Sequence, residues 1–144
     1  MRDLHYRLPR HPVRPGDPID PGEFDVITDM PVRSIITFPV DGFSLPAGQV
    51  MGIRGYAWSG HIPVARVEIS IDGGKNWRPA NLQRARERFA WRRFELALEA
   101  LPGRRDIVAR ATDTNGNSQP LDSAPWNPRG YCNNAAHRIS GEIS

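Results

Sequence analysis

Prolines and glycines punctuate this chain so densely that a helical architecture has little room. The 144 residues include 13 glycines and 14 prolines. Proline lacks a backbone N–H and clashes with the preceding helical turn, and glycine gives up more backbone freedom than any other residue when it is ordered. Pro9, Pro12, Pro15, Pro18, Pro21 and Pro31 follow one another at short spacing. Residues 1–30 therefore read as an extended, semi-rigid strap, either a tail or a linker packed along a domain. Beyond it, turn signals recur about every ten residues, the spacing of short strands in an all-β domain.

Residues 31–144 read as that one domain. Val32 to Phe38 is a first strand, stopped by Pro39. Asp41-Gly42 and Pro46 to Gly48 are turn signals. Gln49 to Trp58 alternates in part, and Gly52 and Gly55 inside it point to a bulge or to close backbone packing. Val64 to Ile71 places Ala65, Val67, Ile69 and Ile71 opposite Arg66, Glu68 and Ser70, with Val64 as the exception on the polar face. Asp72-Gly73-Gly74 turns a hairpin, and Trp77 opens the return strand. Asn81 to Arg88 is charged and reads as a loop or a short helical turn. Ala90 to Leu98 alternates again. Pro102-Gly103 is a turn, Arg105 to Thr112 a strand, Asn115-Gly116-Asn117 a turn, and Ala136 to Ile143 a weak last strand. About seven short strands of this kind suggest an all-β, immunoglobulin-like β-sandwich.

Bulk properties narrow the function classes. A formal charge of +3, from 19 basic and 16 acidic residues spread along the chain, makes no nucleic-acid footprint. The single cysteine, Cys132, excludes an internal disulfide and a multi-cysteine metal site, and reads as a small buried residue or an exposed thiol. No apolar run is long enough for a bilayer-spanning helix, so no membrane partner is expected. Met1 to Tyr6 has no apolar core like that of a signal peptide, so no export address is expected from this chain. His5, His11, His61 and His137 are scattered, without metal-ligand spacing.

Two local features have a structural and a functional reading. Ser70-Ile71-Asp72-Gly73-Gly74-Lys75-Asn76-Trp77 resembles an Asp box, in which the carboxylate bonds turn amides and the Trp packs over the hairpin. Such a hairpin is structural where it occurs. Arg84, Arg86, Arg88, Arg92 and Arg93, with Phe89 and Trp91 among them, are the candidate basic and aromatic surface. That mixture suits a nucleic-acid site, the rim of a protein interface or a solvated hairpin edge, and the solvated edge is favoured.

The least regular stretch is the most informative. Trp126-Asn127-Pro128-Arg129-Gly130-Tyr131-Cys132-Asn133-Asn134-Ala135-Ala136-His137-Arg138 follows neither a helical nor a strand period. Pro128 and Gly130 flank Arg129 and fix the backbone on both sides of it, which suits a guanidinium aimed at a defined place. The plainer reading is a polar crossing loop into an edge strand. His137 is read as a structural hydrogen-bonder rather than an anion ligand.

This stretch resembles the closing motif of the dimerisation domain in sulfite-oxidase-type molybdenum enzymes. Gly55 to Gly60, Val67 to Trp77 and Ala109 to Pro120 resemble further motifs of that family in the same order, from Pro31 onward. Ala136 departs from the pattern, standing where relatives often carry an aromatic residue. The resemblance implies a non-catalytic domain that forms a homodimer and packs on a molybdenum domain in the same enzyme. It implies that the strap joins the two domains, and that molybdopterin is bound elsewhere, with no cofactor on this chain alone. It implies oxidation of sulfite to sulfate by the parent enzyme. It also implies that Arg129 reaches into the substrate anion pocket, with Tyr6 a weaker candidate for the same pocket. The competing reading is a free-standing immunoglobulin-like module that binds carbohydrate or protein.

Overall fold

The alternating segments build two sheets that turn their apolar halves toward one another. The computed structural model describes residues 7–11, 13–18, 24–26, 30–85, 90–122 and 134–144. The elements described are all strands: β1 (Arg7–Pro9), β2 (Phe24–Val26), β3 (Arg33–Phe38), β4 (Phe43–Leu45), β5 (Val50–Trp58), β6 (Val64–Ser70), β7 (Arg78–Pro79), β8 (Asn81–Leu82), β9 (Arg92–Glu99), β10 (Gly103–Asp113) and β11 (His137–Ile143). One sheet has the order β3-β5-β9-β8 and the other β4-β11-β10-β6-β7. Among the described strands of these two sheets only β4 and β11 pair parallel. β3, β5, β9 and β8 take the places of strands A, B, E and D of an immunoglobulin domain, and β11, β10 and β6 those of G, F and C. The chain is an all-β, immunoglobulin-like sandwich, with β4 and β7 as short additions.

The core lies between the sheets. Ile36, Met51, Ile53, Ala57, Phe94 and Leu98 enter it from one side, and Val67, Ile69, Ile107, Ala109, Ala111, Ile139 and Ile143 from the other. Burying the Val, Ile, Leu, Met and Phe side chains among these contributes about 1.5–3 kcal/mol each before the entropy of ordering them is counted. β10 is central and is buried on both faces at Val108 and Thr112. Its outer face is covered by the hairpin that follows β6. The Arg110 guanidinium lies 4.1 Å from the centre of the Trp77 ring and 3.2 Å from Glu68. The outer face of the four-stranded sheet carries exposed aromatic residues instead.

Two irregularities foreshadowed in the strand pattern have physical causes. Val64 pairs with Asp113 while Arg66 pairs with Thr112, so Ala65 is an extra residue in β6. The bulge turns Val64 back into the core with Val67, which explains the break in alternation. Gly55 is a close approach: a Cβ there would stand 2.0 Å from the Ile35 carbonyl oxygen and 2.4 Å from the Phe94 ring. The ladder between β3 and β5 also shifts register beside it. Gly55→Ala should therefore destabilise the domain by about 1–3 kcal/mol through overpacking. A urea midpoint equal to that of the parent would count against this contact.

Three short pieces of structure were not expected. Within the strap, β1 and β2 pair as a short antiparallel ladder. The partners are Arg7 with Val26, Leu8 with Asp25 and Pro9 with Phe24. Asn81–Leu82 is neither loop nor helical turn but a strand, because the chain crosses from one sheet to the other at Ala80 and pairs with β9. Phe43–Leu45, between two turn signals, is a strand beside β11.

Candidate functional site

The closing segment leaves and re-enters the sandwich at one place. The Ala136 N–H donates to the Pro120 carbonyl at 2.7 Å, so the chain on either side of residues 121–135 is held together. Gln119, almost fully buried, sits beneath this junction. Its Oε1 accepts from the Ser34 hydroxyl at 2.6 Å and from the Ala111 N–H at 2.9 Å. Its Nε2 donates to the Asn134 carbonyl at 2.9 Å. Asn134 Nδ2 in turn donates to the Val32 carbonyl at 3.2 Å. On the outward side Arg138 lies 3.6 Å from Asp122. The root of the segment is thus tied to β3, to β10 and to Val32, just past the strap.

These bonds draw on parts of the chain far apart in sequence. Gln119 gave no local signal of its role, because its partner Ser34 is 85 residues away. Ala136, which departs from the aromatic pattern, is buried and supplies the root's backbone bond. Residues 123–133 and 1–6 lie outside the described residues, and with them Trp126, Asn127, Arg129, Gly130, Cys132 and Tyr6.

His137 joins the two sheets at the same root. Its Nδ1 accepts from the Ile36 N–H at 2.8 Å, so the ring must be unprotonated at that nitrogen. Burial lowers its pKa from the ordinary 6.5, Asp41 opposes the shift and Arg33 adds to it. A folded pKa below the unfolded value favours the neutral ring. Its stabilising effect is complete above pH 6.5 and is lost as the pH falls through the folded value. Urea midpoints measured from about pH 8 to pH 5 should decline on the acid side, and His137→Gln should flatten that decline. An unchanged slope in the variant would remove His137 from the account.

The Asp-box hairpin is structural. Asp72 accepts from the Lys75 and Asn76 N–H groups, from Asn76 Nδ2 and from the Ser70 hydroxyl. The bonds from Asn76 lead in holding its carboxylate far below the usual range. Trp77 Nε1 closes the hairpin on the Gly74 carbonyl at 3.1 Å, as an Asp box requires. Within the arginine-rich stretch, Arg92 turns inward and donates to the Gln83 and Val64 carbonyls. Arg93 stays exposed, 3.5 Å from Glu95. Arg86, Arg88 and Phe89 lie outside the described residues.

Residues 24–143 match the family described as the Mo-co oxidoreductase dimerisation domain. The chain belongs to that family. Mitochondrial sulfite oxidase of Homo sapiens is 43% identical to this dimerisation domain over 126 residues, which cover 82% of the chain and 23% of that protein. Sulfite oxidase of Gallus gallus is 37% identical over 129 residues, 85% of the chain and 28% of that protein. NADH nitrate reductase 1 of Phaseolus vulgaris is 30% identical over 132 residues, 82% of the chain and 15% of that protein. Among solved structures, the sulfane dehydrogenase SoxCD of Paracoccus pantotrophus superposes with a TM-score of 0.63 at 29% identity, over 77% of the chain and 30% of its own. The dimerisation domain therefore spans about a quarter of the human relative.

Among the described residues no three His, Cys, Asp or Glu side chains cluster as metal ligands would. No step of catalysis is assigned to the described part of the domain.

Proposed function

We propose that this domain is the pairing module of a sulfite-oxidase-type molybdenum enzyme, and that its closing loop lends Arg129 to the pocket that holds the substrate anion. In this reading the parent enzyme oxidises sulfite to sulfate, and molybdopterin is held by another domain and not by this chain. The domain's partners are a second copy of itself and that molybdenum domain. The strap, residues 1–30, connects the molybdenum domain to the sandwich of residues 31–144. Higher identity to sulfite oxidases than to nitrate reductase favours sulfite as the substrate.

The observation that carries the reading is the tied root of the closing segment. A loop whose ends are fixed by Ala136 and Pro120, and whose base is braced by Gln119, offers a constant starting point for a reaching side chain. A guanidinium suits the task because its planar fork of donors matches an oxyanion and keeps its charge at working pH. Orientation matters as much as attraction, since a misplaced anion reacts poorly even when bound. Tyr6 is the weaker candidate for the same pocket. Steady-state sulfite kinetics of Arg129→Met and Tyr6→Phe, made in a full enzyme that carries this domain, test both assignments. Wild-type kinetics in Arg129→Met would make the loop merely structural.

A further inference from the structure

The outer face of the four-stranded sheet has an unusual order of side chains along its strands. At one end Trp58 and Trp91 stack, with ring centres 4.5 Å apart and planes 10° from parallel. Trp91 is 57% exposed despite this contact. At the other end Gly52 pairs with Ala97. A Cβ added at Gly52 would meet nothing within 4 Å, so this end is a shallow hollow. Between them the register places Arg54 opposite Glu95 and Tyr56 opposite Arg93. Six residues separate Trp58 from Gly52, which is roughly 20 Å along an extended strand.

A ridge and a hollow on one face, with opposite charges between them, are complementary to a reversed copy of the same face. We propose that two copies of this chain pair through this face, about a two-fold axis that lies in the interface and runs across the strands. The proposal rests on the pairing function argued above and says which surface performs it. Such an axis reverses strand direction and keeps lateral position. With the axis at the level of Gly55 and Phe94, each residue faces the one equally far on the other side. Trp58 then lies over Gly52 of the second copy, Trp91 over Ala97, and Arg93 over Glu95. The axis repeats each contact, so every pair occurs twice.

Several observations favour a second copy as the occupant. The charge order is self-complementary, which a surface shaped for an unrelated partner need not be. The other sheet's outer face is covered near its centre by the Asp-box hairpin, through the contact of Arg110 with Trp77. Aromatic residues and arginine are the types enriched in interface cores.

The test uses the complete 144-residue chain in sedimentation equilibrium. The unaltered chain should dimerise. Arg93→Glu and Glu95→Arg should each weaken the dimer about 100-fold, since each reversal sets like charges together twice. Mixing these two single variants should form a heterodimer, because position 93 of either chain then faces an opposite charge at position 95 of the other. Those opposite charges meet only between chains, so the mixture separates pairing across the interface from any effect within one copy. Trp91→Lys should also dissociate the dimer, and circular dichroism should show each variant folded. A wild-type chain that stays monomeric at high concentration would overturn the pairing function itself. A dimer that tolerates both reversals and Trp91→Lys would overturn this face alone, and would leave it to another occupant such as the molybdenum domain.

Discussion

Arg129→Met, in an enzyme that carries this domain, should raise the KM for sulfite about 100-fold. A hydrogen bond to a charged group contributes about 1.5–3 kcal/mol, and the loss of a two-pronged contact lies at the upper end of that range or above it. About 3 kcal/mol corresponds to roughly a 100-fold change in binding. If the guanidinium also orients the anion, kcat falls together with kcat/KM. Arg129→Lys should recover part of the binding but less of kcat, because an ammonium keeps the charge and loses the fork. Sedimentation and circular dichroism of the variants should match the unaltered enzyme. Sulfite kinetics indifferent to both substitutions would return Arg129 to the role of a polar loop residue.

The largest stability effect should come from Gln119→Leu. The substitution is close in size but removes an acceptor shared by Ser34 and Ala111 and a donor to Asn134. Buried groups left without partners cost about 1–3 kcal/mol each. The expected loss is about 4 kcal/mol, a large part of the ~5–15 kcal/mol that stabilises a domain. Urea denaturation should show the loss directly. Limited proteolysis should cut the variant faster between residues 120 and 134, because the root is no longer braced. A loss smaller than about 0.5 kcal/mol, the size of an ordinary surface change, would mean that the network contributes little.

Much of the sandwich was legible because its strands carry local signals. Ala90 to Leu98 alternates except at Arg92, and β9 buries Phe94 and Leu98 as that alternation requires. The hairpin from Ser70 to Trp77 was legible because its bonds are made within eight consecutive residues. What escaped depends on distant partners. Phe43–Leu45 is three residues long and becomes a strand only because β11 lies beside it. Asn81–Leu82 is strand only after the chain has changed sheets. The site divides in the same way. The unusual composition around Arg129 marks the closing segment in the sequence, whereas Gln119 and Ser34 meet only once β3 and β10 have packed together.

The edges of the two sheets also limit what the domain can assemble into. β7 and β8 are two residues each, β7 ends in Pro79, which has no N–H to offer, and β4 is three residues. On β3 the Ile36 N–H is already engaged by His137. A foreign strand finds few free groups along these borders, so growth by strand addition, which can continue without end, is disfavoured. Contact through a face about a two-fold axis uses up its own surface when it forms. An assembly built that way stops at two, and a mutation that lengthened or freed an edge strand would open the route to fibres.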